Sequence, residues 1–408
     1  MSLLALFLFQ GIAGFTGQLL NFALIWQILN WYHSPFLMSV CSGVGIVINL
    51  VLTPWIGQLV DRSHRLKVAA GGDLLSVVVS CGLFLCLPAL HGQRSGVVVI
   101  IIAYALRALA TQIQSTAFMA ALADMSDDVT RGRIFARWQT VVSVAGLVAV
   151  PMSAALMSVL RLDRFVLIDL AAVSVAVVNA WRVALRTPMH AVEPTAAESR
   201  STAFQDLKAT WKYLREDAAL TTFLLALPFI NFVCAPISTL LPPLIKLDWH
   251  LDVKSLAIAE TLLTIGILAA SMLQSVWTPK VRREYLIVAG LFALTASIGM
   301  IGGWSGATPF LLYSGMLACG LSVMFVRIPL RTAIATSTPE SMRGRVDSVM
   351  LVLGSVAAPI GLLAFGAMVE LTSSRSAVWV GTVLLGAMIL VLAIRVGGMR
   401  RRSNVLQS

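Results

Sequence analysis

The residues in this chain that could do chemistry are few, and most stand where charge is costly. Arg107 falls about eleven residues into an apolar run over 96–122, roughly 16 Å down at the rise of an α-helix. At membrane depth a charged side chain costs at least about 2.5–3.5 kcal/mol, so Arg107 needs a carboxylate, amide or carbonyl partner. Asp169, Glu260 and Asp73 are acids in similar runs. A carboxyl so placed can carry a proton or simply hold a cation. Asp73 lies toward the end of its run nearest Arg62 and Arg65, so pairing with those arginines is an equal expectation. Gln18 and Asn21 share a helix face by their spacing, and Gln112, Asn231 and Arg327 add polar groups to other runs. Such amides often only join neighbouring helices, at about 0.6 kcal/mol each. Arg331 is nearer the end of its run and is expected to snorkel. Phe22, Trp26, Trp138 and Phe232 would line a cavity wall or merely pack.

Other chemistries find little support. Cys41, Cys81, Cys86, Cys234 and Cys319 lie in apolar runs with no metal-ligand spacing and read as small core residues. No nucleophile–base constellation emerges, and no metal or cofactor is expected. There is no Gly-x-x-x-x-Gly-Lys-(Ser/Thr) loop, so energy must come from an ion gradient or from the solute itself. The net charge of +11 invites a nucleic-acid reading, but the basic residues are scattered in short clusters between apolar runs.

The elements that must carry these residues are membrane helices. Of 408 residues, 58% are hydrophobic and only 12% charged, where soluble domains carry about 25%. Crossing the hydrocarbon core takes about 20 apolar residues. Spans are expected at 3–29, 36–60, 67–90, 96–122, 135–160 and 164–185, then at 219–245, 254–276, 284–304, 308–335, 345–372 and 376–398. The fold class is therefore an all-α polytopic membrane protein. With both ends inside, cytoplasmic segments hold 21 of the 30 Lys and Arg, and opposite loops hold 6. The excess of positive charge places both termini in the cytoplasm. The polar stretch 186–218 divides the spans six and six, giving bundles over 1–185 and 219–398 and a tail over 399–408. Within that stretch Phe204, Leu207, Trp211 and Leu214 recur at helical spacing, which suits an interfacial helix or one packed on the span ends.

The two halves repeat. Ala121-Leu-Ala-Asp-Met-Ser-Asp-Asp-Val-Thr-Arg-Gly-Arg-Ile134 aligns without gaps on Ala333-Ile-Ala-Thr-Ser-Thr-Pro-Glu-Ser-Met-Arg-Gly-Arg-Val346. Both copies follow an even-numbered span, and Ser126 and Thr338 stand where an N-cap for the next helix belongs. Each following span carries a deep proline, Pro151 or Pro359. Parallel six-span repeats are a transporter architecture.

Gly57-Gln-Leu-Val-Asp61-Arg62-Ser-His-Arg65-Leu-Lys67, between spans 2 and 3, resembles the loop signature of the major facilitator superfamily. Ser34-Pro35, Asp73, Arg107, Asp169 and Pro339-Glu340 followed by Arg343-Gly344-Arg345-Val346 resemble its macrolide-efflux and enterobactin-exporter branch. The antiporter signature of span 5 appears only as Gly146-Leu-Val-Ala-Val-Pro151 before Ala154-Ala155, with small residues kept and most glycines lost. The resemblance implies two pseudo-symmetric six-helix bundles whose spans 1, 4, 7 and 10 line a central cavity. Gln18, Asn21, Gln112, Asn231 and Arg327 would then face the cargo, and Arg107, Asp169, Glu260 and Asp73 would couple transport to protons. In the loop, Gly57 would permit close backbone approach, and Asp61, Arg62, Arg65 and Lys67 would form a latch that holds one conformation.

The function expected is proton-driven export of a bulky amphiphilic molecule, either a macrolide-like drug or a siderophore, by alternating access. Solute uptake, or a sensor or scaffold on the same fold, are the alternatives. A monomer in the bacterial inner membrane is expected, with small-molecule cargo, protons and lipid as its partners.

Overall fold

The computed structural model describes residues 2–87, 94–126, 128–186, 218–276, 283–303, 309–339 and 342–405. The expected interfacial helix over 204–215 lies outside these residues. Twelve helices are long and apolar enough to cross a membrane, and no strand occurs among the described residues.

Contacts group the chain into two compact units, Met1–Ala197 and Glu198–Ser408. The first holds α1 (Ser2–Tyr32), α2 (Pro35–Asp61), α3 (Arg65–Cys86), α4 (Arg94–Asp124), α5 (Asp128–Leu156) and α6 (Leu162–Ala184). The second holds α7 (Ala218–Pro243), continued by a π-helical turn over Leu244–Asp248, then α8 (Val253–Val276) and α9 (Arg283–Gly303). It ends with α10 (Phe310–Ser337), α11 (Arg343–Leu371) and α12 (Ser374–Val405). Each helix covers most or all of an expected span, because a long apolar run in lipid can satisfy its backbone groups only within itself.

Each unit packs by the same plan. In the first, α1 lies against α5 and α6, α4 against α2 and α3, and α3 against α6. In the second, α7 lies against α11 and α12, α10 against α8 and α9, and α9 against α12. The first hairpin of each unit also turns on a histidine with positive φ, His33 at 50° and His250 at 53°. That backbone region is sparsely used by residues other than glycine, and histidine is among the few that enter it more readily.

Small residues set the closest crossings. A Cβ on Gly72 of α3 would stand 2.7 Å from the Gln114 nitrogen and 2.8 Å from the Ala110 oxygen of α4. Gly266 of α8 and Gly320 of α10 face each other with no room for a side chain on either, and Gly361 of α11 rests against the backbone of Phe232 in α7. Without a hydrophobic drive between helices in lipid, such backbone approach supplies the van der Waals contact that holds them. Large apolar side chains such as Val78, Phe292 and Leu390 point outward and are exposed, a surface suited to lipid.

The structure corrects two local expectations. Thr338 does not cap the following helix, whose N-cap is Met342; like Ser126, it returns its hydroxyl proton to the helix it leaves, to the oxygen of Ile334 at 2.7 Å as Ser126 does to that of Ala123 at 3.0 Å. Free carbonyls at a helix end take up such hydroxyl protons in both copies. Cys81 is exposed and Cys86 and Cys234 are half-buried, so only Cys41 and Cys319 are core residues. Trp138 is packing: its ring lies 4.7 Å from that of Phe118 and 5.5 Å from that of Phe7, inside a buried cluster with Leu66 and Leu122.

Candidate functional site

Arg107 of α4 meets Asp169 of α6 at 2.8 Å through Nη1 and at 3.4 Å through Nη2. Their side chains are 7% and 0% exposed. Nη1 also donates to Ser80 Oγ of α3 at 2.7 Å, and Nε to Asn21 Oδ1 of α1 at 3.3 Å. The serine hydroxyl in turn donates to Asp169 Oδ2 at 2.9 Å, and Thr16 of α1 donates to the other carboxylate oxygen at 3.4 Å. One buried ion pair thus ties four helices, with both carboxylate oxygens occupied. Gly17 borders the pair, and a Cβ there would make only ordinary contact, 3.5 Å from Nη2 of Arg107 and 3.7 Å from Oδ1 of Asp169. Removing one member of such a pair strands the other and costs about 3–5 kcal/mol.

Asp73 of α3 does not meet the loop arginines. It is buried, and its Oδ2 accepts from Gln10 Nε2 of α1 at 2.6 Å. Gln10 in turn accepts from Gln114 of α4 at 2.7 Å. The close α3–α4 crossing at Gly72 brings Asp73 and Gln114 to the same level, whereas Arg65 begins α3 two turns away and turns toward α4. Glu260 of α8 is 5% exposed, and no hydrogen bond or ion pair joins its carboxyl to another described residue.

The loop between α2 and α3 is a short turn. Asp61 ends α2, Arg62 caps it through its backbone N–H, and Asp61, Arg62 and Lys67 are exposed. Arg65 Nη1 meets Asp124 Oδ1 at the end of α4 at 2.5 Å and the Ala120 oxygen at 3.2 Å. A Cβ on Gly57 would find nothing within 4 Å, so close approach does not explain this glycine in the conformation seen. Gln112 donates to Thr53 of α2 at 2.9 Å, and Gln18 faces Gly146 of α5.

In the second unit, Leu227 and Asn231 of α7, Met324, Arg327, Ile328, Arg331 and Thr332 of α10, and Met350, Gly354 and Ser355 of α11 line a groove of about 780 Å³. Arg331 shares it with Arg327. Asn231 donates to the Gly354 oxygen at 3.4 Å, and a Cβ on Gly354 would press on that amide at 2.9 Å. In the first unit a cavity of about 580 Å³ opens where α1, α3 and α5 end and α6 begins, lined by Trp26, Gln27, Asn30, Arg161 and Asp163.

Sequence reasoning missed Gln10, Gln114, Thr16, Ser80 and Asp124. The two glutamines were visible as amides in apolar runs. Hydroxyls like Thr16 and Ser80 are common in membrane helices and carry no signal alone. Asp124 lay inside the repeated segment but is replaced by Thr336 in the second copy.

Comparison with known proteins agrees with this architecture. The chain is 25% identical over 402 residues to macrolide efflux protein A of Streptococcus pyogenes, covering 94% of this chain and 92% of that one. Among solved structures it resembles a bacterial homologue of the iron transporter ferroportin, with a TM-score of 0.71 at 12% identity over 95% of this chain and 98% of the other. It also resembles the nucleoside transporter NupG, with a TM-score of 0.66 at 12% identity over 97% of this chain and 99% of the other. The sequence model of the Major Facilitator Superfamily matches residues 6–361. With twelve apolar helices packed as two six-helix units around buried ionisable groups and amides, this chain belongs to the major facilitator superfamily of transporters.

Proposed function

We propose that this protein is a proton-driven exporter of a bulky amphiphilic molecule, working by alternating access of its two bundles. The observation that carries this reading is the burial of Asp73, Arg107, Asp169 and Glu260 in helices long enough to cross a membrane. Ionisable groups held there against their insertion cost mark ion pathways. Export of an amphiphile is supported by the likeness to a macrolide efflux protein over almost the whole chain. A macrolide-like drug and a siderophore are the two cargo classes that share this character.

The four ionisable groups divide by their surroundings. Proton uptake by Asp169 requires breaking its pair with Arg107, so this pair opens and closes with the conformational cycle. Asp73, held by a neutral amide, and Glu260 take up and release the proton. The turn from Gly57 to Lys67 acts as the latch, with Arg65 anchored on Asp124. The protein works as a monomer in the bacterial inner membrane.

The test is efflux of radiolabelled erythromycin from proteoliposomes under an imposed pH gradient, beside equilibrium binding. Asp73→Asn and Glu260→Gln keep hydrogen-bonding capacity but cannot carry a proton. At least one should bind erythromycin normally while losing its response to the gradient. If both respond as the parent protein does, neither acid carries the proton.

A further inference from the structure

The groove of the second unit contains two cations whose role the transport reading leaves open. Met324, Arg327, Ile328, Arg331 and Thr332 follow one another at the three- and four-residue steps that place side chains on one face of α10. Arg327 and Arg331 are both exposed along that face, one helical turn apart. Like charges at this spacing repel on a helix. Among the described residues, no hydrogen bond or ion pair joins either guanidinium to another residue, and no acid lines the groove. This is unlike Arg107, whose charge is met on three sides.

The rest of the lining is apolar or neutral. Leu227, Met324, Ile328 and Met350 supply flexible hydrophobic walls, and Asn231 is fixed against Gly354. A volume of about 780 Å³ suits a small molecule rather than a peptide strand. Guanidinium groups present forked donors that match carboxylate, phosphate and sulfonate oxygens.

We propose that this groove is the acceptor for an anionic amphiphile, with Arg327 and Arg331 taking its acidic group and the apolar walls its body. The proposal rests on the transport reading and narrows it: the cargo accepted here carries negative charge, whereas the amine of a cationic drug is repelled. The same chemistry is offered by a transported anion and by the headgroup of an acidic lipid.

The probes are tritiated taurocholate, a sulfonate on a rigid apolar body, and tritiated erythromycin, a cationic amine. Binding is measured to the purified full-length protein in phosphatidylcholine nanodiscs. Taurocholate should bind saturably, weaken at least about tenfold in R327Q and in R331Q, and weaken as salt rises. R327K, which keeps the charge but not the fork, should fall between, and the single glutamine variants carry the charge test should the double one fail to fold. Erythromycin affinity should stay level or improve in the glutamine variants. Absence of taurocholate binding, or binding unchanged in R327Q/R331Q, overturns the proposal, as does an equal loss of erythromycin affinity. Adding phosphatidylglycerol to the discs separates the sources: competition assigns the site to a lipid headgroup, and its absence assigns it to cargo, both within the proposal. Arginine-dependent binding without gradient-driven movement of either probe would sink the export reading alone. Gradient-driven erythromycin efflux indifferent to both arginines, with no taurocholate binding, would sink this proposal alone.

Discussion

Asp169 accepts from four donors on three residues, so its charge belongs to a network rather than to a free acid. Replacing Arg107 by leucine leaves that carboxylate buried without its cation, at a cost of about 3–5 kcal/mol. Replacing both members removes the stranded charge as well. R107L should therefore unfold at markedly lower temperature in detergent, and R107L/D169L should recover much of the loss. A double variant as unstable as the single one would show that packing by the arginine stem, not charge, is what α4 contributes here. The exposed pair Arg65–Asp124 is a different case, since solvent-exposed pairs are worth about 0–1 kcal/mol. Arg65→Gln should leave stability almost unchanged, so any loss of transport in that variant reports on the latch.

Among the helices, the crossings rather than the spans are where sequence matters most. Gly71 and Gly72 are neighbours in α3, yet a Cβ on the first meets nothing within 4 Å while one on the second meets the backbone of α4. Gly71→Ala should be neutral or stabilising by up to about 1 kcal/mol, because alanine costs less backbone entropy in a helix. Gly72→Ala should destabilise by about 1–3 kcal/mol through overpacking, and should also disturb the Gln114–Gln10–Asp73 chain beside it. Thermal unfolding followed by size-exclusion fluorescence distinguishes the two, and equal effects would contradict the crossing geometry.

For the whole molecule, the proposed orientation follows from charge. The positive excess should place the ends of α2 and α6 in the cytoplasm, and the start of α4 outside. Reporter fusions after Arg62 and after Arg186 should score cytoplasmic, and one after Arg94 should score external. Reversal at two of the three sites would invert the map. The same packing plan in both units, with a left-handed histidine in each first hairpin, shows that the repeat seen in two short loop segments extends through each bundle.

The number, lengths and apolar character of the helices were legible in the sequence, because a chain with 12% charge must hide its backbone in helices about 20 residues long or more. The repeat and the family loop were legible too, since charged segments between spans stand out against apolar background. The identities of the buried ionisable groups could be read one by one, but their partners could not. Arg107 with Asp169, Asp73 with Gln10 and Arg65 with Asp124 are pairings across helices far apart in the chain, and each depends on which faces two helices turn to each other. In an apolar helix the hydrophobic pattern marks no face, so rotation about the axis is set by small-residue crossings such as Gly72 on α4. Only the tertiary structure decides those crossings, and with them which acid is held by a cation, which by an amide, and which arginines are left facing a groove.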